Sequence, residues 1–148
     1  MRSPVGLSPA AKCSGTILLV DDEEGLRVIG SALLKAMGFS TITASNGREG
    51  LEIYREHGGG IDLVLLDLIM PEMGGMETYL ELRKIKPDVP IVFCSGYGVE
   101  GVLDDIASDT FVCAIKKPYK PDLLRHTILD LLGDRPPEII ERFENASN

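Results

Sequence analysis

Residues 61–67 read Ile-Asp-Leu-Val-Leu-Leu-Asp, an apolar run that closes on the carboxylate of Asp67. A run so short and so apolar fits a strand buried on both faces, where no polar alternation is needed. The neighbouring short runs are Thr16–Val20, Ser40–Ala44, Pro90–Cys94 and Phe111–Ile115, and four of the five runs are nearly continuous hydrophobics. The segments between them have helical spacing. Leu26, Ile29, Leu33 and Met37 form one stripe, with Gly38 as its stop. Asn46 can cap a second helix that carries Leu51 and Tyr54 and ends before Gly58-Gly59-Gly60. A third runs from Gly75 to Lys84, a fourth from Val99 to Ser108, and a fifth from Pro121 to Leu132, with Pro121 suited to its first turn. Strands alternating with helices imply an α/β fold, a doubly wound parallel sheet covered on both faces.

Ligands of such sheets gather outside the carboxyl ends of the strands. The first strand ends in Asp21-Asp22-Glu23-Glu24, the third in Asp67, the fourth in Ser95-Gly96 and the fifth in Lys116-Lys117-Pro118; the second offers only Ser45. A lone aspartate after a strand is ordinarily a turn residue or a cap. The coincidence of acids, a hydroxyl and an amine at one edge is what lifts Asp67 above that reading. Several carboxylates in one pocket repel one another unless a cation compensates. A hard divalent ion such as Mg2+ (or Mn2+) suits an all-oxygen set and is commonly held by one or two carboxylates plus a phosphate. A carboxylate so placed can attack a phosphoryl group, while a lysine and the ion stabilise the transferring oxygens. Glu23 and Glu24 read as first-turn acids favoured by the helix dipole.

Composition narrows the classes. The chain has 148 residues, 44% of them apolar and 26% charged, with a net charge of −8. That is one ordinary domain, and no Lys/Arg run is long enough to neutralise a row of phosphates, so nucleic acid and direct membrane contact are not expected. Cys13, Cys94 and Cys113 match no zinc spacing, and the latter two read as small buried hydrophobes. No signal peptide or membrane span is legible, and a cytoplasmic location is expected. Residues 1–15 read as a linker or disordered arm, 16–132 as the domain, and 133–148 as a polar tail with Pro136-Pro137, Ile139, Ile140 and Phe143, long enough for one short amphipathic turn.

The segments ILLVDDE, LVLLDLIMP, VFCSGYG and IKKPY, in this order and at these intervals, resemble the response-regulator receiver family of two-component signalling. The resemblance implies a flavodoxin-like sheet of order 2-1-3-4-5 with five helices. It implies that Asp67 accepts phosphate from a phosphohistidine on a histidine kinase or histidine phosphotransfer protein. Asp22 resembles the direct metal ligand, Asp21 its partner acting through water, and the backbone carbonyl of Ile69 a third ligand. Ser95 matches the switch hydroxyl. Lys117 matches the phosphate-pairing lysine, with a cis bond to Pro118. The downstream partner is not legible. In this family the domain catalyses only its own modification and is not otherwise an enzyme.

The departures from the family are specific. Gly74 stands where the family's Met-Pro-x-Met-Asp-Gly turn has its Asp. Ala114 stands where an aromatic switch residue is usual, with Tyr97 or Tyr119 as candidate replacements. Ile69 and Tyr97, two residues beyond Asp67 and Ser95, offer no carboxylate or amide to orient water, which implies slow self-dephosphorylation. The tail is too short for a DNA-binding effector, leaving a stand-alone receiver or the receiver of a hybrid sensor kinase, the latter favoured by the SGYG and KPY wording. Two rivals differ in kind. A degenerate receiver acting only as an interaction module is opposed by the intact acids, hydroxyl and lysine. An Asp-nucleophile phosphohydrolase would carry Asp-x-Asp on its first strand, where this chain has Asp21-Asp22-Glu23. A flavin or dinucleotide module would need a Gly-rich first turn instead.

Overall fold

The computed structural model describes residues 14–96 and 100–133. Five strands, β1 (Thr16–Val20), β2 (Ser40–Ala44), β3 (Leu63–Asp67), β4 (Ile91–Ser95) and β5 (Val112–Lys116), form one sheet in the order β2-β1-β3-β4-β5. Every pairing is parallel. Among the described residues, five α-helices follow the strands: α1 (Glu24–Met37), α2 (Gly47–His57), α3 (Gly75–Ile85), α4 (Glu100–Ile106) and α5 (Pro121–Leu132). A 3-10 turn, Gly58–Gly60, leads from α2 towards β3. The fold class and strand order match the sequence expectation.

The core is aliphatic because the central strands are buried along their whole length. Each residue of β3 and β4 is buried, whereas β2, at the sheet edge, exposes Ser40 and Thr43. Close contacts show helices on both faces. A Cβ on Gly30 of α1 would press on Leu19, and one on Gly50 of α2 would press on Val20, the next residue of the same strand. Successive strand side chains point to opposite faces, so α1 and α2 cover opposite sides.

Three expectations need correction. The stripe on α1 does not run through Ile29, which is 54% exposed; Gly30 and Leu34 are the buried positions, with Leu26, Leu33 and Met37 partly buried beside them. Counting apolar side chains overlooks a glycine whose missing side chain is what lets the helix approach the sheet. Strands three, four and five each run one residue further than expected, because the ladder continues through Leu68 N–H to Cys94 O (2.8 Å) and Lys117 N–H to Ser95 O (2.7 Å). Asp67, Ser95 and Lys116 are therefore the last residues of their strands, held by sheet geometry and not by loops. Helix α4 ends at Ile106, before the expected Ser108. The arm, Cys13, Tyr97 and the tail lie outside the described residues, apart from Ser14 and Gly15 of the arm and Gly133 at the tail's start.

The amino ends of β4 and β5 are tied to α3 by a polar clamp. Arg83 Nε donates to Asp109 Oδ2 (2.7 Å) and Arg83 Nη1 to Val89 O (2.8 Å). Tyr79 Oη donates to the same Asp109 carboxylate, which also accepts from Phe111 N–H (2.9 Å). Burial alone would raise the Asp109 carboxyl, but these donors hold it below the usual range. The Tyr79 phenol is pushed up to about 12 by burial and by that carboxylate. The Tyr79 ring leans on Phe93 (centroids 5.6 Å apart), and Phe93 pairs across the sheet with Ala114.

Candidate functional site

The carboxyl edge of the sheet gathers the residues the sequence singled out. Asp22, Glu23, Asp67, Ile69, Ser95, Gly96 and Lys117 line one cleft of about 320 Å³. Asp21 lies beneath it, fully buried, while Asp22 is exposed. One oxygen from each of Asp21, Asp22 and Asp67 falls within 4.8 Å of the others.

Asp21 is held through every polar group it has. Its N–H extends the β1–β2 ladder to Ala44 O (3.1 Å), its Oδ1 accepts from Glu23 N–H (2.9 Å), and its Oδ2 accepts from Lys117 Nζ (2.8 Å). Its carbonyl accepts from Arg27 Nη1 at 2.6 Å. Lys117 Nζ also lies 3.3 Å from Asp67 Oδ1, so one ammonium bridges two buried acids and sits nearer the first. Burial would lower the Lys117 ammonium, yet contact with both acids leaves it raised overall. Lys116 points outward and is exposed, as strand alternation requires. The Lys117–Pro118 bond is cis, as expected.

The Asp67 carboxyl is pushed up to about 6 by burial and by the charge of Asp21, against the pull of Lys117. Ile69 N–H adds a long contact to Asp67 Oδ1 (3.4 Å). Two acids and one ammonium therefore leave Asp67 with uncompensated negative charge around it, which an added cation relieves. An octahedral ion with oxygens about 2.1 Å away spaces its ligands about 3 to 4 Å apart, so a cluster this tight closes on one with small movement. The oxygen-only donor set fits Mg2+.

The turn after Asp67 is fixed by Gly75. A Cβ there would lie 2.5 Å from Asp67 O and 2.7 Å from Leu68 Cα, so α3 can begin against the end of β3 only without a side chain. Gly74 takes the N-cap position with no side-chain cap bond, consistent with a local loss only. Ser45 is not part of the site. Its N–H and hydroxyl both donate to Glu49 Oε1 (2.6 and 2.9 Å), while Asn46 accepts from Glu49 N–H (2.8 Å), a reciprocal cap that spends Ser45 on α2. Glu23 does double duty as the N-cap residue of α1 and as a wall of the cleft.

One contributor escaped the sequence reading. Arg27 carries no motif signal at all. Tyr119 is not a plain surface tyrosine: its ring lies 3.2 Å from where a Gly30 Cβ would sit, and its phenol neighbours the Cys94 thiol, burial raising both groups. The glycine on α1 was the available signal. Cys94 and Cys113 are both buried, as expected.

A parallel 2-1-3-4-5 sheet with a trio of acids and a lysine at its carboxyl edge defines a receiver-type module. The response regulator receiver domain model matches residues 17–129, and the chain belongs to that family. It is 37% identical over 119 residues to the sensor kinase CckA of Brucella abortus, covering 80% of this chain and 13% of that protein. A response regulator receiver domain from Clostridium thermocellum superposes with a TM-score of 0.75 at 29% identity, covering 80% of this chain and 94% of that one. The response regulator TrrA of Thermotoga maritima, solved with Mg(2+)-BeF, gives a TM-score of 0.70 at 33% identity over 79% of this chain and 98% of that one. The chain spans between 13% and 46% of the length of the curated relatives it matches. It is thus similar to the receivers of two-component proteins, and receiver domains bind Mg2+ at an acidic pocket of this kind. Among the described residues no helix is long and apolar enough to cross a membrane.

Proposed function

We propose that this domain accepts phosphate on Asp67 from a phosphohistidine, with Mg2+ held by Asp22, Asp67 and the Ile69 carbonyl and by Asp21 through water. The observation that carries this reading is the bridge of Lys117 Nζ to both Asp21 (2.8 Å) and Asp67 (3.3 Å) beside an acid trio that calls for a further cation. That the response regulator TrrA was solved in complex with Mg(2+)-BeF supports the choice of metal.

In the reaction a carboxylate oxygen of Asp67 attacks phosphorus, the P–N bond breaks, and its electron pair stays on the departing imidazole nitrogen. The bound ion supplies charge neutralisation to the transferring oxygens. Asp67, the last residue of a fully buried strand, presents its carboxylate in a fixed direction. Lys117 is placed to pass from Asp67 to a phosphoryl oxygen while keeping Asp21. The Ser95 hydroxyl, in the same cleft, can donate to another oxygen. The acyl phosphate then changes the surface around β4, α4 and β5 and so the affinity for a downstream protein.

The domain reads as residues 16–132, in the cytoplasm, with a histidine kinase or phosphotransfer protein as donor. Relatedness to a sensor kinase favours the receiver of a hybrid kinase. The test is incubation with acetyl phosphate and Mg2+, read by intact mass. One phosphoryl adduct, absent in Asp67→Asn, is expected; no adduct, or an adduct indifferent to that substitution, refutes the reading and leaves a domain that only binds partners.

A further inference from the structure

We propose that Arg27 is a positioning residue for the magnesium site, fixing through the Asp21 carbonyl the peptide that aims Asp22; this rests on reading the acid trio as that site. Asp21 and Asp22 share one peptide unit. Rotation of that unit swings the Cα–Cβ bond of Asp22 and hence its carboxylate. Asp21's N–H and both carboxylate oxygens are engaged elsewhere, by Ala44, Glu23 and Lys117. The carbonyl belongs to the rotating unit itself, and Arg27 Nη1 grips it at 2.6 Å in a charge-assisted hydrogen bond. Asp22 is exposed and so lacks packing to hold its direction, yet its carboxylate sits within 4.8 Å of those of Asp21 and Asp67.

The placement of Arg27 is otherwise unfavourable for a cation site. It stands in the first turn of α1, where the helix dipole disfavours positive charge. It also brings a fixed positive charge close to the place where Mg2+ must bind. The plain alternative is that Arg27 merely balances the four acids Asp21-Asp22-Glu23-Glu24. The two accounts differ in sign. If Arg27 only balances charge, its removal leaves the acids freer to take a cation and Mg2+ binds more tightly. If Arg27 positions Asp22, its removal lets the ligand wander and Mg2+ binds more weakly.

The experiment is calorimetric titration of the full chain with MgCl2, for wild type, Arg27→Met, Arg27→Lys and Asp22→Asn, with circular dichroism melts in the same buffer. Losing a group that orients a metal ligand costs about tenfold in affinity, and Arg27→Met is expected to weaken Mg2+ binding by about that factor. Arg27→Lys, which keeps one donor and the charge, is expected to restore most of it. An Arg27→Met chain that is folded and binds Mg2+ as tightly as wild type or more so overturns the proposal, and so does Arg27→Lys binding as weakly as Arg27→Met while both melts match wild type. If Arg27→Met fails to fold, Arg27→Gln, which also removes the charge, decides in its place: weaker Mg2+ binding than wild type supports the proposal, while binding as tight as wild type or tighter overturns it. A wild-type chain that binds no Mg2+, or an Asp22→Asn chain that binds it unchanged, overturns instead the reading of the acid trio and Arg27's role with it.

Discussion

Asp67 is strained electrostatically in the metal-free protein, and replacing it with Asn should stabilise the fold. Its carboxyl is raised from 3.8 to about 6 by burial and by Asp21, so the folded chain holds that proton more tightly than the unfolded chain does. Below the ordinary carboxyl value the proton is bound in both states and Asp67 costs nothing. As pH rises through about 6 the folded state must ionise a buried acid beside Asp21, and stability is lost. Each tenfold in proton affinity is worth about 1.4 kcal/mol, so the whole effect is at most about 3 kcal/mol. Asn keeps the shape, drops the charge and leaves Lys117 its bond to Asp21. In chelator at about pH 7.5, Asp67→Asn should therefore be about 1–3 kcal/mol more stable, a rise in melting temperature of roughly 4–10 °C. The assay is denaturant or thermal unfolding across a pH series. The gap should close as the pH falls towards 4, where the wild-type carboxyl is neutral, and Mg2+ at neutral pH should shrink it by stabilising wild type. A less stable variant at neutral pH, or a difference flat in pH, would refute the electrostatic argument.

Three other outcomes are expected. Gly75→Ala places a methyl 2.5 Å from Asp67 O, so it should cost about 2–4 kcal/mol in chemical unfolding and slow phosphorylation by moving the acceptor; a loss under about 0.5 kcal/mol would contradict the contact. Asp109→Ala strands Arg83, Tyr79 and the Phe111 N–H and should cost about 2–4 kcal/mol at neutral pH. Because the native Asp109 pKa is lowered, that stabilisation is complete above the ordinary carboxylate range and is lost as pH falls through the native value, so the urea-unfolding difference should narrow below about pH 4. With no carboxylate or amide at Ile69 or at Tyr97 to orient water, the acyl phosphate should survive gel filtration and be measurable by mass over many minutes; decay within seconds would show another group doing that work.

The parallel sheet was legible because buried strands write themselves as short aliphatic runs, and the site because its residues stand at the ends of those runs. Asp21, Asp22, Asp67, Ser95 and Lys117 were found by position alone and do converge. What escaped depends on contacts that residue type and position do not announce. Ile29 satisfied the helical period, but Gly30 made the contact, since close approach is recorded by a missing side chain. Ser45 stood at a strand end yet was claimed by Glu49 four residues on. Arg27 acts on a backbone carbonyl, an acceptor every residue has, so no residue pattern announces it. Ala114 was read as the loss of an aromatic, and the structure shows that its cross-strand neighbour Phe93 and Tyr79 of α3 put aromatic volume on that part of the sheet instead.

The central claim is that phosphate is carried by Asp67 and by no other group. Borohydride reduction of the acetyl-phosphate-treated protein, followed by peptide mapping, tests it most directly, since an acyl phosphate of aspartate is reduced to homoserine where it stood. Homoserine at position 67, present with Mg2+ and absent with chelator, is the predicted result. Homoserine at Asp21 or Asp22, or unmodified aspartate at all three positions, would contradict the account.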